Sequence, residues 1–158
     1  VRDKSWGPRD WGASSQGGDG DPAAAGEVAQ GPQPFVNWFS MNFGAEAALG
    51  GSCFQQADGS LRGSGWLQRG GDSLALRDVW IRTGYKAESI IHETVTLEAV
   101  TDAGEPIVIE GRVRSVCPTK VPMPGGAIFI NEGLAEFRWG DLSGFGIAEH
   151  WHGVRLSG

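Results

Sequence analysis

The chain has 158 residues, 26 of them glycine and seven tryptophan, and a formal net charge of −6 at pH 7. That length suits one domain able to bury roughly two thirds of its unfolded surface, so neither a disulfide nor a metal staple is required. The acidic balance with scattered cations excludes a phosphate backbone as an expected partner, and no apolar run approaches the roughly 20 residues of a bilayer span, so membrane insertion is not expected either.

Residues 1–11 are dense in Trp, Arg and Asp and form a segment of their own. From Gly12 to Pro34 the chain turns to Gly, Ala, Ser, Asp, Gln and Pro with almost nothing large and apolar, which reads as a long flexible loop. The remainder, 35–158, is β in texture, with short runs of branched and aromatic residues alternating with polar ones. Strands are predicted near 35–43, 46–56, 61–69, 73–84, 89–100, 106–117, 126–139 and 144–152. Hairpin turns fall at Ala57-Asp58-Gly59-Ser60 and Asp102-Ala103-Gly104-Glu105, with a longer turn over 140–144. The glycine content and the lack of any sustained three-to-four apolar period leave little room for helix. Eight sequential strands predict an all-β fold, and closure into an antiparallel up-and-down barrel removes the edges a meander would leave exposed.

Residues two apart in a strand share a face, so polar groups in register with large apolar ones are expected to point inward. In 35–43 the inward row is Phe35, Asn37, Phe39, Met41 and Phe43; in 73–84 it is Leu74, Leu76, Asp78 and Trp80. In 89–100 it is Ile91, Glu93, Val95, Leu97 and Ala99, with His92 on the other side. In 106–113 it is Ile107, Ile109, Gly111 and Val113. In 144–152 it is Phe145, Ile147, Glu149 and Trp151, with His150 and His152 opposite. A carboxylate facing a dry core costs several kcal/mol unless paired, whereas one facing a pocket can bind or react. Glu93 and Glu149 are therefore candidates for a site, or else partners of Arg2, Arg9 or Arg82 that tie the first segment to the barrel. Indoles supply flat apolar walls with one N–H each, which suits a hydrophobic ligand with few polar groups. The three histidines, His92, His150 and His152, lack an arranged carboxylate, so neither a metal nor another cofactor is expected. Cys53 and Cys117 have no C-x-x-C partner and read as buried free thiols.

The opening Arg2-Asp3-Lys4-Ser5-Trp6-Gly7-Pro8-Arg9-Asp10-Trp11 resembles the R-D-H-S-W-G-x-R-D-W motif of an uncharacterised bacterial family related to AttH-like proteins and carotenoid 1,2-hydratase (CrtC-like). Gly144-Phe145-Gly146-Ile147-Ala148-Glu149-His150-Trp151 resembles the closing G-x-G-x-x-E-h segment of that family, and Asn131-Glu132-Gly133 its late E-G strand. Lys4 stands where the family has His, which removes the imidazole that would exchange a proton near neutrality. The resemblance implies two lipocalin-like barrels in tandem, this chain covering the C-terminal one, and a pocket for a terpenoid-, steroid- or polyketide-like molecule. With Val1 in place of an initiator Met and no leader, the chain is expected to be a domain fragment, its missing N-terminal barrel a partner, in a cytoplasmic protein.

Two functions follow as expectations. As a binding module, the domain would hold a hydrophobic small molecule with Trp6, Arg9, Trp11, Trp38, Glu93 and Trp151. As an enzyme, a cofactor-independent hydratase, isomerase or cyclase, it would use Asp3 or Glu149 as the catalytic acid or base. A third reading is an interaction domain whose apolar exterior docks on the missing barrel.

Overall fold

The computed structural model describes residues 34–57 and 60–155. Eight strands run in chain order: β1 (Val36–Asn42), β2 (Ala47–Gln55), β3 (Leu61–Arg69), β4 (Asp72–Tyr85), β5 (His92–Thr101), β6 (Pro106–Met123), β7 (Gly126–Trp139) and β8 (Leu142–Arg155). Each pairs antiparallel with its neighbours, and β1 pairs with β8, so the sheet closes into the up-and-down barrel that the strand spacing predicts. There is no helix among the described residues, and so none long or apolar enough to cross a membrane.

Tight turns make the meander. At the β5–β6 turn, Gly104 takes φ +86° and donates its N–H to the Thr101 carbonyl at 2.9 Å, a backbone conformation that glycine adopts without steric cost. Gly140, between β7 and β8, also takes a positive φ, +58°. The predicted turn at 57–60 lies partly outside the described residues.

Inward side chains of all eight strands meet in one core. Phe39 and Met41 of β1, Phe43 just beyond it, Leu49, Leu67, Leu76 and Leu97, and Ile107, Ile109 and Phe137 are all nearly inaccessible. In β6 the alternation holds through Ile107, Ile109 and Gly111, and a register shift between Val113 and Ser115 interrupts it. Gly111 makes space for an aromatic neighbour: a Cβ there would stand 2.6 Å from both Phe137 and Val95.

The barrel is uneven in height. β6 beyond Ser115 pairs only with β7, and β8 stays paired with β1 only as far as Trp151, so 120–123, 126–129 and 152–155 form a flange past one end. The turn between β4 and β5 crosses the same end, closed by Lys86 N–H to Ile91 O at 2.9 Å, and buries Ile90.

Candidate functional site

β8 presents to the interior not its bulky row but the alternate one. Gly144, Ala148, His150, His152 and Val154 are buried, while Phe145 is 62% exposed. The reason is volume, because Phe39, Phe43 and Phe137 already fill the barrel beside β8. A Cβ at Gly144 would come within 2.8 Å of Phe43, and one at Gly146 within 2.8 Å of the Met41 Cα. Only small residues fit inside there, so Phe145, Ile147, Glu149 and Trp151 face outward, correcting the inward orientation expected from their apolar company. Glu149 accepts a hydrogen bond from Trp151 Nε1 on this outer surface. Trp151 in turn meets Phe35 edge-on, with ring centroids 6.2 Å apart.

Bulges correct the other inward carboxylates. At Asp78 the backbone takes φ +52°, and the pairing with β5 shifts between Arg77 and Trp80. The extra residue reverses the alternation, so Val79 and Ile81 are buried while Asp78 and Trp80 are exposed. A second shift, between Gly84 and Tyr85, pairs Tyr85 with His92 and turns His92 inward, leaving Glu93 exposed. Arg82 pairs with Glu98 on the outer wall and is partner to neither Glu93 nor Glu149. Trp38, 44% exposed, also faces out. Asp3, Trp6, Arg9 and Trp11 lie outside the described residues, as do the expected loop over 12–34 up to residue 33 and the Arg2 and Arg9 pairings. Among the described residues no Asp or Glu is buried.

The interior instead carries a polar layer at the flange end. Asn37 of β1, His150 of β8 and Asn131 of β7 are direct cross-strand partners on the inner face, and all three are fully buried. His92 lies over them, its ring centroid 4.1 Å from that of His150. Tyr85 approaches His150 at 6.2 Å and His152 at 5.7 Å. Below the layer stands the apolar core; above it, one register step along, come Phe129 and His152 and then Ala127 and Val154. Lys120 of the flange sits 5.7 Å above the Phe129 ring.

Hydrogen bonds fix the chemistry of two members. A carbonyl can only accept, so the 2.9 Å contact of His92 Nε2 with Ala148 O places the proton on Nε2 and leaves Nδ1 a bare acceptor. Asn131 Nδ2 donates to Ile90 O at 2.9 Å, which ties the β4–β5 turn across the barrel end and leaves Oδ1 buried without a partner. Gly133 is the necessary neighbour of His92: a Cβ there would collide with the imidazole and stand 2.9 Å from Ala148 O.

Six buried polar atoms of the layer have no hydrogen-bond partner: both amide atoms of Asn37, His92 Nδ1, Asn131 Oδ1 and both ring nitrogens of His150. Burial pushes the His92 imidazole down to about 4, partly offset by its bond to Ala148, and His152 down to about 3. His150 is held well below the ordinary value, first by burial and then by its histidine neighbours. All three are neutral at pH 7. Burial likewise keeps the Tyr85 hydroxyl protonated, with Thr83 beside it. Among the described residues no group of side chains is arranged to hold a metal ion.

Elsewhere, an open hollow of about 530 Å³ lies on the outer wall, lined by residues including Thr94, Glu110, Arg112, Arg114 and Glu136. Within it Arg114 pairs with Glu136. Cys53 is buried and Cys117 exposed, both free, so the expectation of two buried thiols holds for the first alone.

Alternation could have revealed Asn37, which it places inside, but not His92, whose side of the sheet depends on the bulge. His150 and His152 carried a signal in the row of Gly144, Gly146 and Ala148, small residues suited to a crowded interior.

No curated protein and no solved structure matches the chain. The family model described as Domain of unknown function (DUF7064) matches residues 1–153, and the chain belongs to that family.

Proposed function

We propose that this domain binds a hydrophobic small molecule at the flange end of the barrel, its polar group set on the layer of Asn37, His92, Asn131 and His150. The observation that carries this reading is the set of six unpartnered polar atoms in a buried layer. Each such atom costs about 1–3 kcal/mol when left unsatisfied. A ligand or water that satisfies them offsets that cost, and the apolar rim of Ala127, Phe129 and Val154 gives a ligand's hydrocarbon part a surface to cover. The lower core is filled by the protein's own side chains, so entry is from the flange end, past the β4–β5 turn. Terpenoid-, steroid- and polyketide-like bodies, which the resemblance to AttH-like and CrtC-like proteins implies, fit this apolar requirement. Native mass spectrometry of the full chain purified from its source tests the reading. Retention of a lipid-like mass lost on denaturation is expected; a bare protein that also binds no member of a terpenoid and steroid panel would refute it.

A second reading concerns the outer wall. Ile130, Trp151, Val36 and Phe54 are successive cross-strand partners across β7, β8, β1 and β2, and Leu134, Phe145 and Ile147 extend this outward apolar face. Exposed patches of this kind mark protein contacts. The partner proposed is a further barrel of a longer protein, as the tandem arrangement implies. Changing Phe145 and Ile147 to Ser should abolish sedimentation of the chain together with that further barrel supplied as a separate chain; unchanged co-sedimentation would refute a contact through this face.

A further inference from the structure

We infer that the head group taken by the polar layer is uncharged and carries at least one donor hydrogen: an alcohol or a primary amide, not a carboxylate, phosphate or amine. This rests on the ligand-binding reading above and adds the class of ligand to it.

Partners already determine the roles of two groups in the layer. His92 Nδ1 can only accept, because Nε2 spends its proton on Ala148 O. Asn131 Oδ1 can only accept, because its amide nitrogen faces Ile90 O. Asn37 Oδ1 adds a third acceptor, and a neutral His150 a fourth in one of its nitrogens. A ligand oxygen bearing no hydrogen, such as an ether or a ketone, can answer none of these four. A hydroxyl or an amide N–H can, while its own lone pairs receive Asn37 Nδ2 or the His150 N–H.

Charge is excluded by what surrounds the layer. Asn37, Asn131, His92 and His150 are all at most 1% exposed, and no Asp, Glu, Lys or Arg is among the buried described residues. A carboxylate, phosphate or ammonium brought there would lose its water with no buried opposite charge among the described residues to replace it, a cost of several kcal/mol. At this end Lys86 and Lys120 are both exposed, and Lys120 is engaged with the Phe129 ring one step outside the layer. Neutral hydrogen-bonding groups tolerate the layer because they bring their own complement. Discrimination should be sharp, since a site built from buried polar atoms penalises a ligand that leaves them unpaired more than an apolar pocket penalises a misfit.

The test is calorimetric titration of the full chain with probes of equal chain length: decanol, decanamide, decyl methyl ether, decanoate and decylamine. Decanol and decanamide are expected to bind at least about tenfold more tightly than the other three. Equal affinity across the series, or tightest binding by decanoate or decylamine, overturns the head-group inference while leaving the ligand reading intact. No binding by any probe overturns both. Asn37→Leu supplies a second readout: it removes a donor and an acceptor at similar volume, so decanol affinity should fall about tenfold while the unfolding temperature stays level or rises. Unchanged decanol affinity in the folded variant contradicts the assignment, and the probe series on the unaltered chain stands whether or not the variant folds.

Discussion

Three imidazoles buried as neutral rings make the protein's stability depend on pH in a defined direction. In the unfolded chain each titrates near 6.5, while in the barrel His92 titrates at about 4 and His152 at about 3. Between those values the unfolded state binds more protons, so stability is fully present above pH 6.5 and is lost as pH falls toward the folded values. His92 alone accounts for about 3 kcal/mol over that window, since one pKa unit corresponds to about 1.4 kcal/mol. Urea midpoints measured from pH 7.5 to 4 should fall steadily below 6.5, and His92→Phe should flatten part of the slope. A flat profile would show that the rings are not buried neutral. The thiols give a second residue-scale expectation. Burial raises the Cys53 thiol to about 12, and its Sγ lies 3.5 Å from Val79 O, whereas Cys117 is exposed. Iodoacetamide should modify Cys117 in the native protein and Cys53 only on unfolding; one adduct per native chain, mapped to Cys117, is the expected result. Sequence made Asn37 legible because no bulge lies between it and Phe39. It hid His92 because one irregular residue, at the Gly84–Tyr85 shift, decides which way that ring points.

At the scale of strands, bulges are what the alternation rule misses, and they position the site. Asp78 holds φ +52°, a conformation Asp tolerates and a β-branched residue does not. Asp78→Val should cost about 1–2 kcal/mol, read as a lower urea midpoint, whereas Asp78→Gly should not; equal effects would mean the backbone there is unstrained. Gly133 of β7 bears on the site more directly. A methyl group there meets the His92 ring, so Gly133→Ala should lose about 1–3 kcal/mol and displace His92 from the Ala148 carbonyl. Loss of stability without any change in the His92 ring signals would place the strain elsewhere. The strands themselves were legible to within a few residues, since Gly and Asp turns punctuate them. β6 runs six residues past the predicted end at 117, through Pro118 and Pro122; its outer edge is unpaired there, which is where proline is tolerated.

Across the whole molecule, closure of eight strands was readable, but the side each row faces was not, because a narrow barrel inverts the ordinary expectation. Where Phe39, Phe43 and Phe137 fill the centre, the neighbouring strand must turn its small residues inward and its large ones outward. Phe145, Ile147 and Trp151 consequently face out with Glu149, and an apolar outer wall coexists with a polar interior layer. The carboxylates singled out from alternation are therefore surface groups, and the chemistry of the interior belongs to neutral imidazoles and amides. The most direct test follows the layer itself through its nitrogen resonances, the side-chain amides of Asn37 and Asn131 and the rings of His92 and His150, during titration of the full chain with decanol. These four side chains should shift together, saturably, with His92 keeping its proton on Nε2. Shifts confined to outer-wall groups such as the Trp38 and Trp151 indoles, with the layer unmoved, would contradict this.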